Sequence, residues 1–443
     1  QDRRFTADFR MPYAPDMHDR MSGTIGDVML VNGQIGAHLP TTAPRIRLRI
    51  VNGANGSAYR LHLADGQVFD QIASDGGLLS APLPLTEARA RHLLTGLQRA
   101  ERPLILAGPA ALTRPGRARL AALEAALGMP VIGMESPRGV ADPSLGAFAE
   151  VLAQADAVLL LGKRLDFTLK FGQAPSLDAA ARWAQVDAEA DEIDRTRRAV
   201  GDRLDATALA DLGSACDALC AVAAPSPRHA DWCAAVRAAV AWRPPHWATA
   251  SSALPGRLHP AQMLRPLQAL LDSHPDAVLV SDGGEIGQWA QAVLQAPQRV
   301  VNGVAGSIGS GLPFALAARC AVAADVPVVA VMGDGTYGFH LAEIDTGVRY
   351  RLPVVVVVGN DARWNAEYQI QLKDYGADRL IGCELAPTRY DLATAGLGGH
   401  GGFVEQADAL PAALAQAVAS GLPACVNVMI EGVAAPQIKR PAP

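Results

Sequence analysis

The sequence predicts an α/β chain: two parallel-sheet domains in series behind a short stretch of antiparallel β. Three observations carry this. Fully apolar runs of strand length, such as Ala157 to Gly162 and Val354 to Val358, lack a polar face, as strands covered on both sides do. Segments of helical period separate these runs, and strands alternating with helices pair in parallel. Residues 1–86 instead alternate polar and apolar side chains with period two, the pattern of half-buried antiparallel strands.

In chain order, Arg45-Ile46-Arg47-Leu48-Arg49-Ile50 alternates strictly and reads as a strand. Asn52-Gly53 and Asn55-Gly56 are turn signals, after which Tyr59, Leu61 and Leu63 alternate again. Asp65-Gly66 is a hairpin turn, and Asp75-Gly76-Gly77 closes the next strand. Beyond Thr86 the pattern changes. Glu87 to Ala100 is helical in period, and Pro103 to Gly108 is a buried strand ending in glycine. Pro115 opens a helix that runs to Leu127, where a first-turn proline is tolerated. Strands follow at Pro130 to Gly133, Ala157 to Gly162 and Trp183 to Val186. Prolines at 225, 227, 244 and 245 mark residues 225–257 as a linker, and helix–strand alternation resumes from His259. The expected units are therefore 1–86 (β), 87–224 (α/β), 225–257 (linker) and 258–443 (α/β), with a frayed Pro-Ala-Pro end.

Half of the residues are hydrophobic and 19% are charged, so the chain can build cores and is not generally disordered. A net charge of −5 without a Lys/Arg block argues against nucleic acid as a partner. Apolar runs such as Val354 to Val358 are too short to cross a bilayer. The first residues, Gln-Asp-Arg-Arg-Phe, precede no apolar core, so no signal peptide is expected. Six cysteines are scattered without a CxxC, which fits a reducing cytoplasm. Cys216 and Cys220, one helical turn apart, read either as a metal pair or as small buried thiols.

The chemistry concentrates near the C-terminus. The strand Val328 to Met332 runs into Gly333-Asp334-Gly335-Thr336, and after a helix the strand Val354 to Val358 runs into Gly359-Asn360-Asp361. Each delivers a carboxylate or amide at its C-terminal end, the edge where open parallel sheets bind ligands. Asp334, with Asn360 or Asp361, offers hard oxygen ligands to Mg²⁺, which takes its remaining ligands from diphosphate and water. The glycines allow close approach of phosphate, and the amides of the following helix start favour an anion. A lone Gly-Asp-Gly also makes a plain turn. Two more glycine-rich turns upstream strengthen the reading: Asp282-Gly283-Gly284-Glu285 and Gly306-Ser307-Ile308-Gly309.

These residues resemble the pyrophosphate domain of thiamine diphosphate (ThDP) enzymes. The family's cofactor signature is Gly-Asp-Gly, a helix, and a strand ending in Asn-Asn; here it stands as Gly333-Asp334-Gly335 and Asn360-Asp361. The resemblance implies ThDP and Mg²⁺ as cofactors. Asp334, Asp361 in place of the second asparagine, and the backbone carbonyl of Arg363 would hold the metal. It places Gly283, Gly284, Glu285, Gly333, Gly335 and Thr336 along the diphosphate. It gives Ile308, on the Gly306-Ser307 turn, the bulky side chain that bends the cofactor. The run Gly359 to Asn365, with Glu343-Ile-Asp-Thr346, is similar to the acetolactate synthase-like and 2-hydroxyacyl-CoA lyase branch. Residues 87–224, with Arg102 to Gly108 and Gly162-Lys-Arg-Leu-Asp166, resemble the central domain, which in some relatives binds FAD or a nucleotide. Both domains are then expected to be Rossmann-like.

The implied activity is a carbon–carbon lyase or carboligase acting on a 2-keto acid, an aldehyde or a 2-hydroxyacyl thioester. Glu367 matches the position of an acidic residue that faces substrate in related decarboxylases, and is otherwise an exposed helix glutamate. His340, just past the diphosphate turn, reads as a structural histidine or an active-site neighbour. In the family a glutamate from a separate pyrimidine domain activates the cofactor, and no counterpart is found in residues 1–86. The chain alone is thus expected to bind cofactor without turnover unless a partner supplies a pyrimidine domain; the resemblance also implies a homodimer, because the family's active sites lie between subunits.

Residues 1–86 resemble a fragment of the middle cupredoxin domain of multicopper oxidases. Gly26-Asp27 to Gly33, Arg45 to Val51, and Ile72 to Leu79 carry that resemblance. His-x-His and His-Cys-His clusters are absent and His18, His38 and His62 stand alone, so copper is not expected. The sequence reads as a fusion joined near Leu85 to Arg91. The rival readings are a decayed, non-catalytic ThDP-binding protein and a copper oxidase fragment.

Overall fold

In a computed structural model, residues 83–224, 227–302 and 306–441 are described, with 2–3, 28–31, 34–35, 37, 73–74 and 77–78 ahead of them. The chain forms two compact units, Gln1–Ala81 and Pro82–Pro443. In the first, β1 (Asp2–Arg3) and β3 (Gln34–Ile35) flank β2 (Val28–Val31), both antiparallel. Strand β4 (Ala73–Ser74) pairs antiparallel with β5 (Gly77–Leu78). The expected strand Arg45 to Ile50, the turns at Asn52-Gly53, Asn55-Gly56 and Asp65-Gly66, and His18, His38 and His62 lie outside the described residues.

The second unit opens with the helix Glu87–Arg99. Thr86 caps it by accepting from the Arg89 amide, and Ala90, Leu93, Leu94 and Leu97 face inward at helical spacing. Strands β6 (Pro103–Ala107), β7 (Val131–Gly133), β8 (Ala157–Leu161), β9 (Arg182–Asp187) and β10 (Leu204–Leu209) form one parallel sheet in the order β10-β9-β8-β6-β7. Alternate residues serve two cores. Ile105, Leu159 and Leu161 point into one, while Leu104, Leu106, Val158 and Leu160 point into the other. Cys216 packs in the first core, where burial pushes its thiol up to about 11; among the described residues no third ligating side chain joins it and Cys220. The helix Leu212–Ala221 starts at Asp211, whose carboxylate accepts from the Ser214 amide at 2.8 Å. Asp211→Ala is expected to cost about 1 kcal/mol. Thermal denaturation would register this as a midpoint about 2–4 °C lower.

Residues 225–257 are not the plain linker that their prolines suggest. The helix Ala230–Ala241 lies within them, and Trp232, Val236 and Ala239 complete a core with Phe148 and Trp183. Those three side chains share one helix face at i, i+4 and i+7, a periodicity overshadowed by the flanking prolines. Arg243 then ties the two sheets' surroundings together. Its guanidinium donates to the carbonyls of Ser144 and Ala292 at 2.8 and 2.6 Å. Glu135 accepts from both Arg117 and Arg299 nearby.

The second sheet comprises β11 (Val278–Ser281), β12 (Gln298–Val301), β13 (Val328–Gly333), β14 (Val355–Asn360), β15 (His400–Val404) and β16 (Ala424–Met429). It is parallel throughout, in the order β12-β11-β13-β14-β16-β15. Val329, Val331 and Val357 face one core; Val328, Ala330, Val356 and Val358 face the other, so the valine runs are apolar on both sides. The chain leaves β11 for one edge of the sheet and returns to its other side as β13. The crevice at the C-terminal ends of these two strands is the topological switch point. Among the described residues no helix is long and apolar enough to cross a membrane.

Candidate cofactor site

A cavity of about 280 Å³ opens at that switch point. Three strand ends build it. Gly283, Gly284 and Glu285 follow β11, Gly333 ends β13 with Asp334 to Thr336 after it, and Asp361 and Arg363 follow β14. Gly306 and Ile308 close one side, and Glu367 stands on the helix Asn365–Tyr375 at the rim. Gly335 is needed sterically, because a Cβ there would lie 2.4 Å from the Trp364 ring. The helix after Gly333, Asp334–Gly338, is only five residues long. Close approach of the backbone, rather than a long helix dipole, is therefore what the cavity offers an anion.

Asp334 and Asp361 face each other across neighbouring strand ends, set by the pairing of Gly333 with Gly359. Asp334 is 2% exposed, and its Oδ2 is buried without a hydrogen-bond donor. Burial pushes its carboxyl up to about 6, against the pull of surrounding backbone amides, Gly335 first. Burial, and then the Asp334 charge, push Asp361 up to about 7. The backbone amide of Arg363 lies close enough to both carboxylates to oppose that rise. A buried carboxylate with an orphaned oxygen, beside a second that is half-buried, is costly unless a cation joins them. This donor set, all hard oxygen and too small to encage a metal alone, fits Mg²⁺ that also binds diphosphate and water.

Two of the expected site residues are not in the cavity wall. Asn360 is fully buried and turned away: its Nδ2 donates to the Thr388 carbonyl at 2.9 Å and to Asn427 Oδ1 at 3.1 Å. Its Oδ1 accepts from the Ala362 amide at 3.2 Å, so it braces the Asp361–Arg363 turn rather than facing a metal. Ser307 is exposed and outside the wall, although its neighbours Gly306 and Ile308 line it. Glu367 is exposed, while Glu285 is half-buried beside it. Burial holds the Glu285 carboxyl above its ordinary range; the Glu367 charge adds to this, opposed by the Ala435 amide and Arg138.

Sequence reading missed several wall residues. Ile286, Trp364 and Ile370 lie beside recognised motifs and could have been found by their proximity. Arg138 could not. It comes from the first domain, and only the tertiary fold brings it to the cavity. His340 takes the structural role, with Nδ1 2.7 Å from the Gly309 carbonyl.

Comparison with known proteins bears on this geometry. Residues 282–428 match the thiamine pyrophosphate enzyme C-terminal TPP binding domain, and residues 90–219 match the thiamine pyrophosphate enzyme central domain. The chain is 34% identical over 382 residues to a probable acetolactate synthase of Mycobacterium bovis, covering 81% of this chain and 66% of that protein. It is 30% identical over 358 residues to a 2-hydroxyacyl-CoA lyase of Oryza sativa, covering 76% and 60%. The chain thus spans about 60–66% of the length of these relatives. A thiamine diphosphate-dependent 4-hydroxybenzoylformate decarboxylase from Rhodococcus jostii shares the fold, with a TM-score of 0.64 at 21% identity over 80% of this chain and 66% of that one. With its cavity at the switch point and both domains matched, the chain belongs to the thiamine pyrophosphate enzymes, homologous to acetolactate synthase and 2-hydroxyacyl-CoA lyase, and carries their central and TPP-binding domains.

Proposed function

We propose that this chain is the cofactor-holding part of a ThDP- and Mg²⁺-dependent enzyme that cleaves or forms a carbon–carbon bond next to a carbonyl. Its substrate would be a 2-keto acid, an aldehyde or a 2-hydroxyacyl thioester. The observation that carries this reading is the Asp334–Asp361 carboxylate pair, one oxygen of which is buried without a hydrogen-bond donor, in the wall of a glycine-lined cavity. Asp334, Asp361 and the Arg363 carbonyl would hold Mg²⁺; Gly283, Gly284, Gly335 and Thr336 would take the diphosphate. When bound, ThDP would supply a carbon nucleophile and an electron sink for chemistry next to a carbonyl. Ile308 would fill the space beneath the cofactor rings. Glu367, at the rim, would pass a proton to or from substrate, and Glu285 lies in the wall beside it.

In this reading turnover also needs a pyrimidine-domain glutamate, supplied from outside the two matched domains. The isolated chain is expected to bind cofactor and to give no steady lyase product. The test is the thermal midpoint with and without ThDP plus Mg²⁺. A ligand at a hundred times its dissociation constant stabilises by about 2.7 kcal/mol. At about 2–4 °C per kcal/mol, that is a rise of roughly 5–10 °C. A rise that ThDP alone gives equally well, without divalent metal, would sink the metal assignment. No rise at all would sink the cofactor reading.

A further inference from the structure

We infer that Asp282 and His340 form a latch that fixes the Gly306–Gly311 turn, so that Ile308 is already in place before any cofactor arrives. Both are positioning residues. The inference rests on the proposed reading of the cavity and goes beyond it, because no part of that reading gives Asp282 or His340 a role.

Asp282 follows β11 and is 2% exposed. Its Oδ1 accepts from the Gly283 amide at 2.7 Å, and its Oδ2 accepts from the amides of Gly309 and Gly311 at 3.0 and 2.7 Å. One carboxylate thereby joins the turn on the diphosphate side to the turn that carries Ile308. From the opposite side, His340 Nδ1 lies 2.7 Å from the Gly309 carbonyl. A carbonyl only accepts, so Nδ1 carries the proton. Gly309 is thus held by both of its backbone polar groups.

The turn needs such a hold. Gly306 and Gly309, on either side of Ser307 and Ile308, have φ of +67° and +105°. Glycines in that region leave the backbone many alternatives. Side-chain packing cannot replace the latch at Gly309, because a Cβ there would stand 3.0 Å from that of Phe339. The fit around Asp282 is equally close: a Cβ on Gly311 would lie 2.7 Å from the Asp282 Cβ. Burial raises the Asp282 carboxyl, and the three amides and then His340 draw it back. Its charge is met by backbone dipoles and the histidine, the arrangement of a structural tie. A preformed turn spares the cofactor the cost of ordering it.

The test is Asp282→Asn. An amide has one acceptor oxygen, so it cannot serve both the Gly283 amide and the Gly309–Gly311 pair. In cofactor-free protein, amide hydrogen exchange at Gly309 and Gly311 is expected to quicken about tenfold, the equivalent of one lost hydrogen bond, with the β13 and β14 amides unchanged. With ThDP and Mg²⁺ present, the variant is expected to keep most of its thermal shift, which comes from the diphosphate and metal. It should lose most of the near-ultraviolet circular dichroism that the achiral cofactor acquires when held in one twisted conformation. His340→Ala, which leaves the carboxylate in place, is expected to change both readouts in the same direction, and it serves if Asp282→Asn does not fold. Unchanged exchange at both glycines, or full induced dichroism in the variants, would overturn the latch. If the wild-type protein shows no shift with ThDP and Mg²⁺, the cavity reading fails, and the exchange rates still decide the latch.

Discussion

Asp334→Ala is expected to abolish the midpoint rise that ThDP and Mg²⁺ give the wild-type protein. Asp334 and Asp361 are the two aspartates in the cavity wall, and burial holds both carboxyls up. Removing one takes away an anionic ligand and leaves the cation a single carboxylate. A loss of affinity of a hundredfold or more corresponds to about 2.7 kcal/mol, the whole of the expected stabilisation at moderate ligand excess. The cofactor-free variant should not be less stable than the wild type. Its missing carboxylate is the one whose Oδ2 is buried without a donor, and desolvating such a group is a cost to folding. A lost shift with unchanged apo stability therefore reads as lost binding. Asp361→Asn is the companion experiment. It keeps an oxygen ligand and removes one of two facing charges, so a metal-dependent shift should survive. Titration calorimetry on the three proteins would settle the ranking. Equal metal-dependent affinity in Asp334→Ala and wild type would remove Asp334 from the site.

The largest effect on stability is expected from Gly108→Ala in the first sheet. Gly108 follows β6, and a Cβ there would lie 1.8 Å from the Gly162 carbonyl oxygen and 2.7 Å from its carbon. Both are backbone atoms, so no side-chain rotation relieves the clash. The ends of β6 and β8 would have to part, although the strands pair from Pro103 with Ala157 to Ala107 with Leu161. Overpacking against rigid backbone costs about 3 kcal/mol or more. At about 2–4 °C per kcal/mol, the midpoint falls by roughly 6–12 °C. Gly162→Ala is the contrast. That residue sits at φ +58° with only the Leu212 side chain near its Cβ position, at 3.6 Å. Its cost is the left-handed conformation alone, about 1 kcal/mol. Urea denaturation of both variants checks the order; a Gly108→Ala midpoint equal to that of Gly162→Ala would show that the strand ends yield more easily than their packing implies.

What the sequence determined by itself is everything that depends on neighbours along the chain. Apolar runs flanked by helical period made parallel sheets, because a strand covered on both faces needs apolar side chains on both. Gly333-Asp334-Gly335 and Gly359-Asn360-Asp361 sat at strand ends, and the open sheet puts its ligands there. Other features waited for the tertiary structure. Asn360 and Asp361 are adjacent, and successive strand residues point to opposite sides. Only packing against Thr388 and Asn427 decided that Asn360 turns inward and Asp361 faces the cavity. Local patterning likewise could not show that Asp282 reaches Gly309 and Gly311, or that Arg138 arrives from the other domain. The same limit hid the helix Ala230–Ala241, whose place in a core depends on Phe148 and Trp183. Period and turn chemistry are local and are written in the residue order. Which polar atoms meet across the fold is set by the direction each side chain takes once the sheets have packed.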